Sequence, residues 1–204
     1  MSRRPPELRP IERVVFFTDA VVAIAITLLI LPLLEAVTQA ARDRLDTAQF
    51  LAENYGPLTS FALSFVIISV FWQGHDRLFA HVRRQDVWLS WLNVAWMFSI
   101  VWLPVPTAMV GQMDTDPGQL ALYIGTMLVT SLIMAAIQLV LLRNPQLLDG
   151  NPRQRGDLAP ALANTILFAL ALVMALTIPG VGFWSLLALA LRGVLERLLR
   201  RRLS

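Results

Sequence analysis

Apolar residues fall in six long blocks along this chain, at 14–34, 57–79, 87–111, 118–142, 158–178 and 181–199, with short polar segments between them. The first five reach the roughly 20 residues that carry an α-helix across a bilayer. The sixth is continuously apolar only from Val181 to Leu191, and it spans only by continuing through Arg192 to Leu199 with its arginines reaching for the interface. The pattern predicts an all-α membrane protein with six transmembrane helices per subunit, in a single domain over 1–204. Pro32 is placed to kink or end the first helix, and Pro104 and Pro106 to bend the third. The polar stretch Thr38 to Tyr55 predicts a surface turn or short helix, and the Pro5-Pro6 and Pro10 region an irregular lead-in.

Polar positions inside the blocks carry the candidate chemistry. Arg13 and Asp19 stand at the mouth of the first block, where ionisable groups are costly and mark functional sites. Behind them Ile24, Leu28 and Leu31 share one helical face, with Thr27 beside it. On a membrane helix such a stripe reads as lipid-facing, packed or pore-lining. Counting 1.5 Å per residue from the helix ends puts Asp19 roughly 7 Å, His75 about 6 Å and Asn93 about 9 Å from one membrane surface. The three therefore share a level, and a buried carboxylate needs partners. We expect Asp19, His75 and Asn93, with Arg13, to form an interhelical polar network that anchors the first helix. Arg13 and Phe17 share a helical face, whereas Arg13 and Asp19 point in different directions and bridge to other helices or subunits rather than to each other.

The run Arg13-x-x-x-Phe17-Thr18-Asp19 before an apolar stretch resembles the first helix of the lysosomal-type potassium channel family and its bacterial homologues, where it reads Arg-x-x-x-Phe-Ser-Asp; here Thr18 replaces the serine. Phe71-Trp72-x-x-His75-x-x-x-Phe79, Leu92-Asn93 and Leu103-Pro104-x-Pro106-Thr107 are similar to the second and third helices of that family. Beyond roughly Gly111 the likeness is one of hydropathy alone. The resemblance implies a homotetramer with the first helix lining a central pore. Ile24, Leu28 and Leu31 would then form a hydrophobic constriction and Thr27 a ring of hydroxyls, with Arg13, Phe17, Thr18, Asp19, Trp72, His75 and Asn93 bracing the helix from behind. The eukaryotic relatives carry two such repeats, whereas the motif occurs once here. The implied function is passive, potassium-permeable cation flux with modest preference for potassium over sodium. The chain lacks a Thr-Val-Gly-Tyr-Gly-like run that would build a carbonyl filter. The rival reading is a proton-coupled secondary transporter using Asp19 and His75, against which stands the lack of an inverted repeat or paired broken helices.

Composition supports the membrane reading independently: 56% of residues are hydrophobic and 15% charged, with mean hydropathy +0.62. A soluble domain of 204 residues could not hide that much apolar surface. All 17 basic residues are arginine, and they cluster before the first block, between the second and third, between the fourth and fifth, and at the end of the chain. Only Arg42 and Arg44 fall on the other side, beside Glu35, Asp43, Asp46 and Glu53. The positive-inside rule then places both termini in the cytosol, with the protein in the inner or plasma membrane. The net charge of +3 and the flanking positions of the arginines fit lipid headgroups, so no nucleic-acid partner is expected. Cysteine is absent, and His75 and His81 do not share a helical face, so no metal site is expected. No nucleophile with a base and no convincing carboxylate pair is present, so we expect no enzyme activity and no cofactor, only permeant potassium.

Overall fold

In a computed structural model, described over residues 9–148, 158–178 and 180–203, the chain is a helical bundle. Its helices are α1 (Glu12–Leu28), α2 (Leu31–Arg42), α3 (Thr47–Glu53), α4 (Tyr55–Phe79), α5 (Val87–Trp102), α6 (Pro104–Gln112), α7 (Pro117–Arg143), α8 (Ala159–Thr177) and α9 (Arg192–Leu203). A short 3₁₀ turn spans Pro145–Leu147, and a longer 3₁₀ segment, Gly182–Leu191, runs into α9. The prolines act where the sequence places them. Pro32 sits in the first turn of α2, so the Leu28 carbonyl loses its i+4 donor and the first apolar helix breaks at Leu29–Ile30. Pro104 opens α6 and breaks the third block at Leu103 in the same way. The polar stretch after α2 turns through a capping box, in which Asp46 accepts from the Gln49 backbone and Gln49 from the Asp46 backbone, both at 2.9 Å.

Among the described residues, five helical stretches are long and apolar enough to cross a membrane: Glu12–Arg42, Tyr55–Phe79, Val87–Gln112, Pro117–Arg143 and Ala159–Thr177. The expected sixth span over 181–199 does not take the form of one apolar helix. Its apolar half winds as the 3₁₀ segment, and the chain becomes α-helical only where Arg192, Glu196 and Arg197 make it polar.

The core lies between α4, α5, α7 and α8, around Ile68, Trp96, Ile100, Tyr123, Met127 and Phe168. The span of α7 is the most enclosed, with 44% of its apolar window buried in the subunit, and that of α1 and α2 the least, with 22%. Large apolar side chains such as Phe98, Val173 and Leu187 face outward, as lipid-facing residues do. One end of the bundle is tied together through the backbone. Arg9–Pro10 pairs antiparallel with Arg84–Gln85, Val82 bridges Leu148, and the Arg83 amide donates to the Leu147 carbonyl at 2.9 Å. The lead-in to α1, the α4–α5 connection and the exit from α7 therefore share one end, as the distribution of arginines requires. Arg3, Arg4, Arg153, Arg155 and the Pro5-Pro6 lead-in lie outside the described residues.

Candidate functional site

The two faces of α1 are unlike. Thr18, Val22 and Ala25 are buried against the subunit, and Leu29 continues that face past the helix end. On the opposite side Arg13, Phe17, Ala20, Ile24, Thr27, Leu28 and Leu31 form one exposed stripe at helical spacing. Ile24 is 59% exposed, Leu31 49% and Leu28 37%. All four stripe residues of the sequence reading thus lie on the open face. The Thr27 hydroxyl bonds the Ile24 carbonyl of its own helix at 2.8 Å, which leaves its oxygen able to accept or coordinate.

The buried face is held by a chain of hydrogen bonds that crosses three helices. His75 Nε2 of α4 lies 2.7 Å from Asn93 Oδ1 of α5, Asn93 Nδ2 donates to Thr18 Oγ1 of α1 at 2.9 Å, and Thr18 Oγ1 donates to the Val14 carbonyl at 2.8 Å. Each group has one role only if His75 carries its proton on Nε2 and donates to Asn93. Thr18, His75 and Asn93 are all at most 1% exposed. The imidazole is also stacked between Phe79 and Trp96, with ring centroids 4.2 and 4.3 Å away, so its plane is fixed. His75 Nδ1 and Trp96 Nε1 are buried in this layer without a hydrogen-bond partner.

Asp19 departs from the expected arrangement. Its Oδ1 accepts from Trp72 Nε1 of α4 at 2.9 Å, and it makes no hydrogen bond to His75 or Asn93. The reason is rotation: consecutive residues on a helix point 100° apart, so turning Thr18 inward swings Asp19 to the flank of α1, where Trp72 meets it. The expected single network is therefore two contacts at one level, a buried Thr18–Asn93–His75 chain and a half-exposed Asp19–Trp72 pair. Arg13 is exposed and joins neither among the described residues. A second buried cluster escaped the sequence reading: Ser64 Oγ lies 2.8 Å from Tyr123 Oη and accepts from Thr107 Oγ1 at 2.8 Å, tying α4, α6 and α7 together. Thr107 lay inside a recognised motif, but no spacing rule pairs it with Ser64. On α7, Thr130 donates across to Ser99 at 3.0 Å, while Thr126 and Ser131 bond within their own helix.

Apolar spans around a core with exposed apolar residues outside define an integral membrane protein. Its least enclosed helix is clamped by polar bonds on one face and open on the other. A family model described as the endosomal/lysosomal potassium channel TMEM175 matches residues 13–104. A potassium channel of Streptomyces collinus is 33% identical over 189 residues, covering 90% of this chain and 88% of the relative. The chain belongs to the TMEM175 family, which consists of channels and not enzymes. The endosomal/lysosomal proton channel TMEM175 of Danio rerio is 28% identical over 138 residues, so this chain spans about a quarter, 26%, of that relative's length. The fold is similar to that of a crystal structure described as a lysosomal potassium-selective channel TMEM175 homolog from Chamaesiphon minutus. The TM-score is 0.60 and the identity 21%, over 94% of this chain and 96% of the other.

Proposed function

We propose that this protein is a potassium-permeable channel in which the open stripe of α1 lines a pore at the centre of a homotetramer. The observation that carries the reading is the asymmetry of α1: three buried hydrogen-bonded side chains hold one face, and Ile24, Thr27, Leu28 and Leu31 stand exposed on the other. One helix cannot enclose a pore, so copies must meet around an axis. Ile24, more exposed than Leu28 and Leu31, forms the hydrophobic constriction and gates by dewetting, Leu28 and Leu31 extend it, and Thr27 supplies hydroxyls between apolar rings. With no carbonyl filter, preference for potassium over sodium is modest and flux is passive. The name borne by the Streptomyces relative supports potassium as the permeant ion. Asp19 braces α1 against Trp72 of α4, Arg13 and Phe17 on the open face brace it against neighbouring subunits, and both termini face the cytosol.

Proton permeation through the same pore is a second reading, favoured by the name of the zebrafish relative. A proton-coupled carrier built on Asp19 and His75 is disfavoured, because the two side chains bond different partners. The test is flux through purified protein in liposomes under a potassium gradient, repeated with sodium, with Ile24→Asn in parallel. Uncoupled flux that favours potassium and rises in Ile24→Asn is expected. Flux tied strictly to a proton gradient, or unaffected by Ile24→Asn, would overturn the assignment.

A further inference from the structure

On the side of the subunit built by α4, α7, α8 and α9, two cavities adjoin. One, of about 350 Å³, has a mixed lining that gathers the polar side chains of Arg77, His81, Gln138, Asn164, Arg192 and Glu196 among apolar ones such as Leu78 and Met134. The other, of about 750 Å³, is apolar and is lined by Leu63, Ile67, Phe168, Phe183 and Leu187 among others. Val70, Phe71, Asn164 and Arg192 line both, so the polar chamber continues into the apolar slot. Neither contains a residue of the α1 stripe or of the Thr18–Asn93–His75 chain.

Depth gives the pair its meaning. Arg77 lies in the last turn of α4, at the arginine-rich end of the bundle, about 3 Å along the axis from Phe79. Asn164 lies about 7 Å along α8 from its start at Ala159, at that same end. The polar chamber therefore descends from headgroup level to just inside the hydrocarbon. The slot follows α4 from Phe71 toward Tyr55, about 24 Å at the helical rise, which exceeds the roughly 15 Å that one leaflet's hydrocarbon occupies. It opens outward beside Leu187 and Trp184, which are 66% and 73% exposed. Arg77 and Arg192 outnumber Glu196 in the chamber walls, and Gln138 and Asn164 add amide donors. An amphipathic ligand with an anionic head meets matching chemistry along the whole length, and basic pockets between membrane helices hold such heads.

We propose that these cavities hold one anionic phospholipid per subunit, with its phosphate between Arg77 and Arg192 and one acyl chain in the slot beside Phe168. The site does not depend on the pore reading and stands or falls separately from it. The test is native mass spectrometry of the purified full-length protein titrated with phosphatidylglycerol or phosphatidylcholine, alongside crosslinking by a phosphatidylglycerol with a photoreactive tail. One phosphatidylglycerol retained per chain is expected, in preference to phosphatidylcholine, with crosslinks mapping to the slot around Leu63, Phe168 and Leu187. Arg192→Gln and Arg77→Gln should each weaken retention about fivefold. Leu187→Trp, which fills the slot and leaves the chamber intact, should weaken both lipids alike, and melting in neutral detergent checks that each variant folds. Equal retention of the two lipids, unchanged retention in Arg192→Gln, displacement by millimolar inorganic phosphate, or crosslinks confined to a neighbouring subunit would each overturn the proposal.

Discussion

Asn93 is the hinge pin of the clamp on α1, and replacing it with leucine of similar size tests the clamp directly. Asn93→Leu deletes the 2.9 Å bond to Thr18 and the 2.7 Å bond to His75. The two ends of the chain suffer differently. Thr18 keeps its bond to the Val14 carbonyl, so it loses little. His75 is fully buried, and its Nδ1 already lacks a partner, so losing Asn93 leaves both ring nitrogens unsatisfied. Interhelical bonds in membrane proteins are worth about 0.6 kcal/mol each on average, and a buried group left bare costs about 1–3 kcal/mol. The sum predicts a loss of about 2–4 kcal/mol.

A double-mutant cycle separates this from a generic packing defect. His75→Phe keeps an aromatic ring between Phe79 and Trp96 and removes both nitrogens, but strands Asn93 Oδ1. Combining His75→Phe with Asn93→Leu removes the polar pair together and leaves only Thr18, which is still bonded to Val14. The double variant should therefore be less destabilised than the sum of the singles, by about 1 kcal/mol. Unfolding in mixed micelles with increasing sodium dodecyl sulfate, followed by circular dichroism, measures all four corners. Additive effects, or Asn93→Leu within about 0.5 kcal/mol of the unmutated protein, would refute the claim that this chain of bonds holds α1.

Further perturbations report on neighbouring features. Thr18→Ser should leave melting and flux unchanged because the hydroxyl remains, whereas Thr18→Val should cost about 1–3 kcal/mol by stranding an Asn93 N–H, read as a lowered melting temperature. Asp19→Asn keeps an oxygen for Trp72, so near-normal stability with retained flux is expected; loss of flux in a well-folded protein would revive the proton-coupled reading. Gly111→Ala would place a methyl 2.6 Å from Ser60 Oγ and 2.9 Å from Pro57 Cα, wedging α6 from α4 at a cost of about 1–3 kcal/mol. Gly125→Ala on α7 meets nothing within 4 Å and should be neutral or stabilising by up to about 1 kcal/mol, so equal melting shifts in the two alanine variants would refute the packing of α6 on α4.

Much of this arrangement was legible because membrane spans are long and their polar residues few. Residue counting from helix ends brought positions near 19, 75 and 93 to one level, and the structure connects 18, 75 and 93 by hydrogen bonds. Rotation about the helix axis was not legible: depth changes by only 1.5 Å between Thr18 and Asp19 while direction changes by 100°. Hydropathy cannot choose between them, since a threonine and an aspartate both need partners. Trp72, already singled out by the motif on α4, supplies the partner that places Asp19 at the flank, but no spacing rule pairs the two. The form of the sixth block was not legible for a related reason. Its apolar composition matches a span, but composition does not specify rise per residue, and Gly182–Leu191 winds as a 3₁₀ segment.

The threonine at position 18 shows how one substitution within a motif reads once the partners are known. The resemblance places a serine there, and either residue supplies the hydroxyl that accepts from Asn93 and donates to the Val14 carbonyl. A hydroxyl that donates back to its own helix needs no further acceptor for its proton, so it serves as the terminus of the chain that starts at His75. An aspartate in the same place would accept from Asn93 but could not donate to Val14, and it would bring a charge into a layer lined by Phe79 and Trp96. The order Thr18-Asp19 therefore puts the neutral hydroxyl inside and the carboxylate at the flank. That division lets α1 be gripped firmly on one face without carrying charge through the subunit, and it leaves the opposite face free to be wholly apolar from Ile24 to Leu31 apart from Thr27.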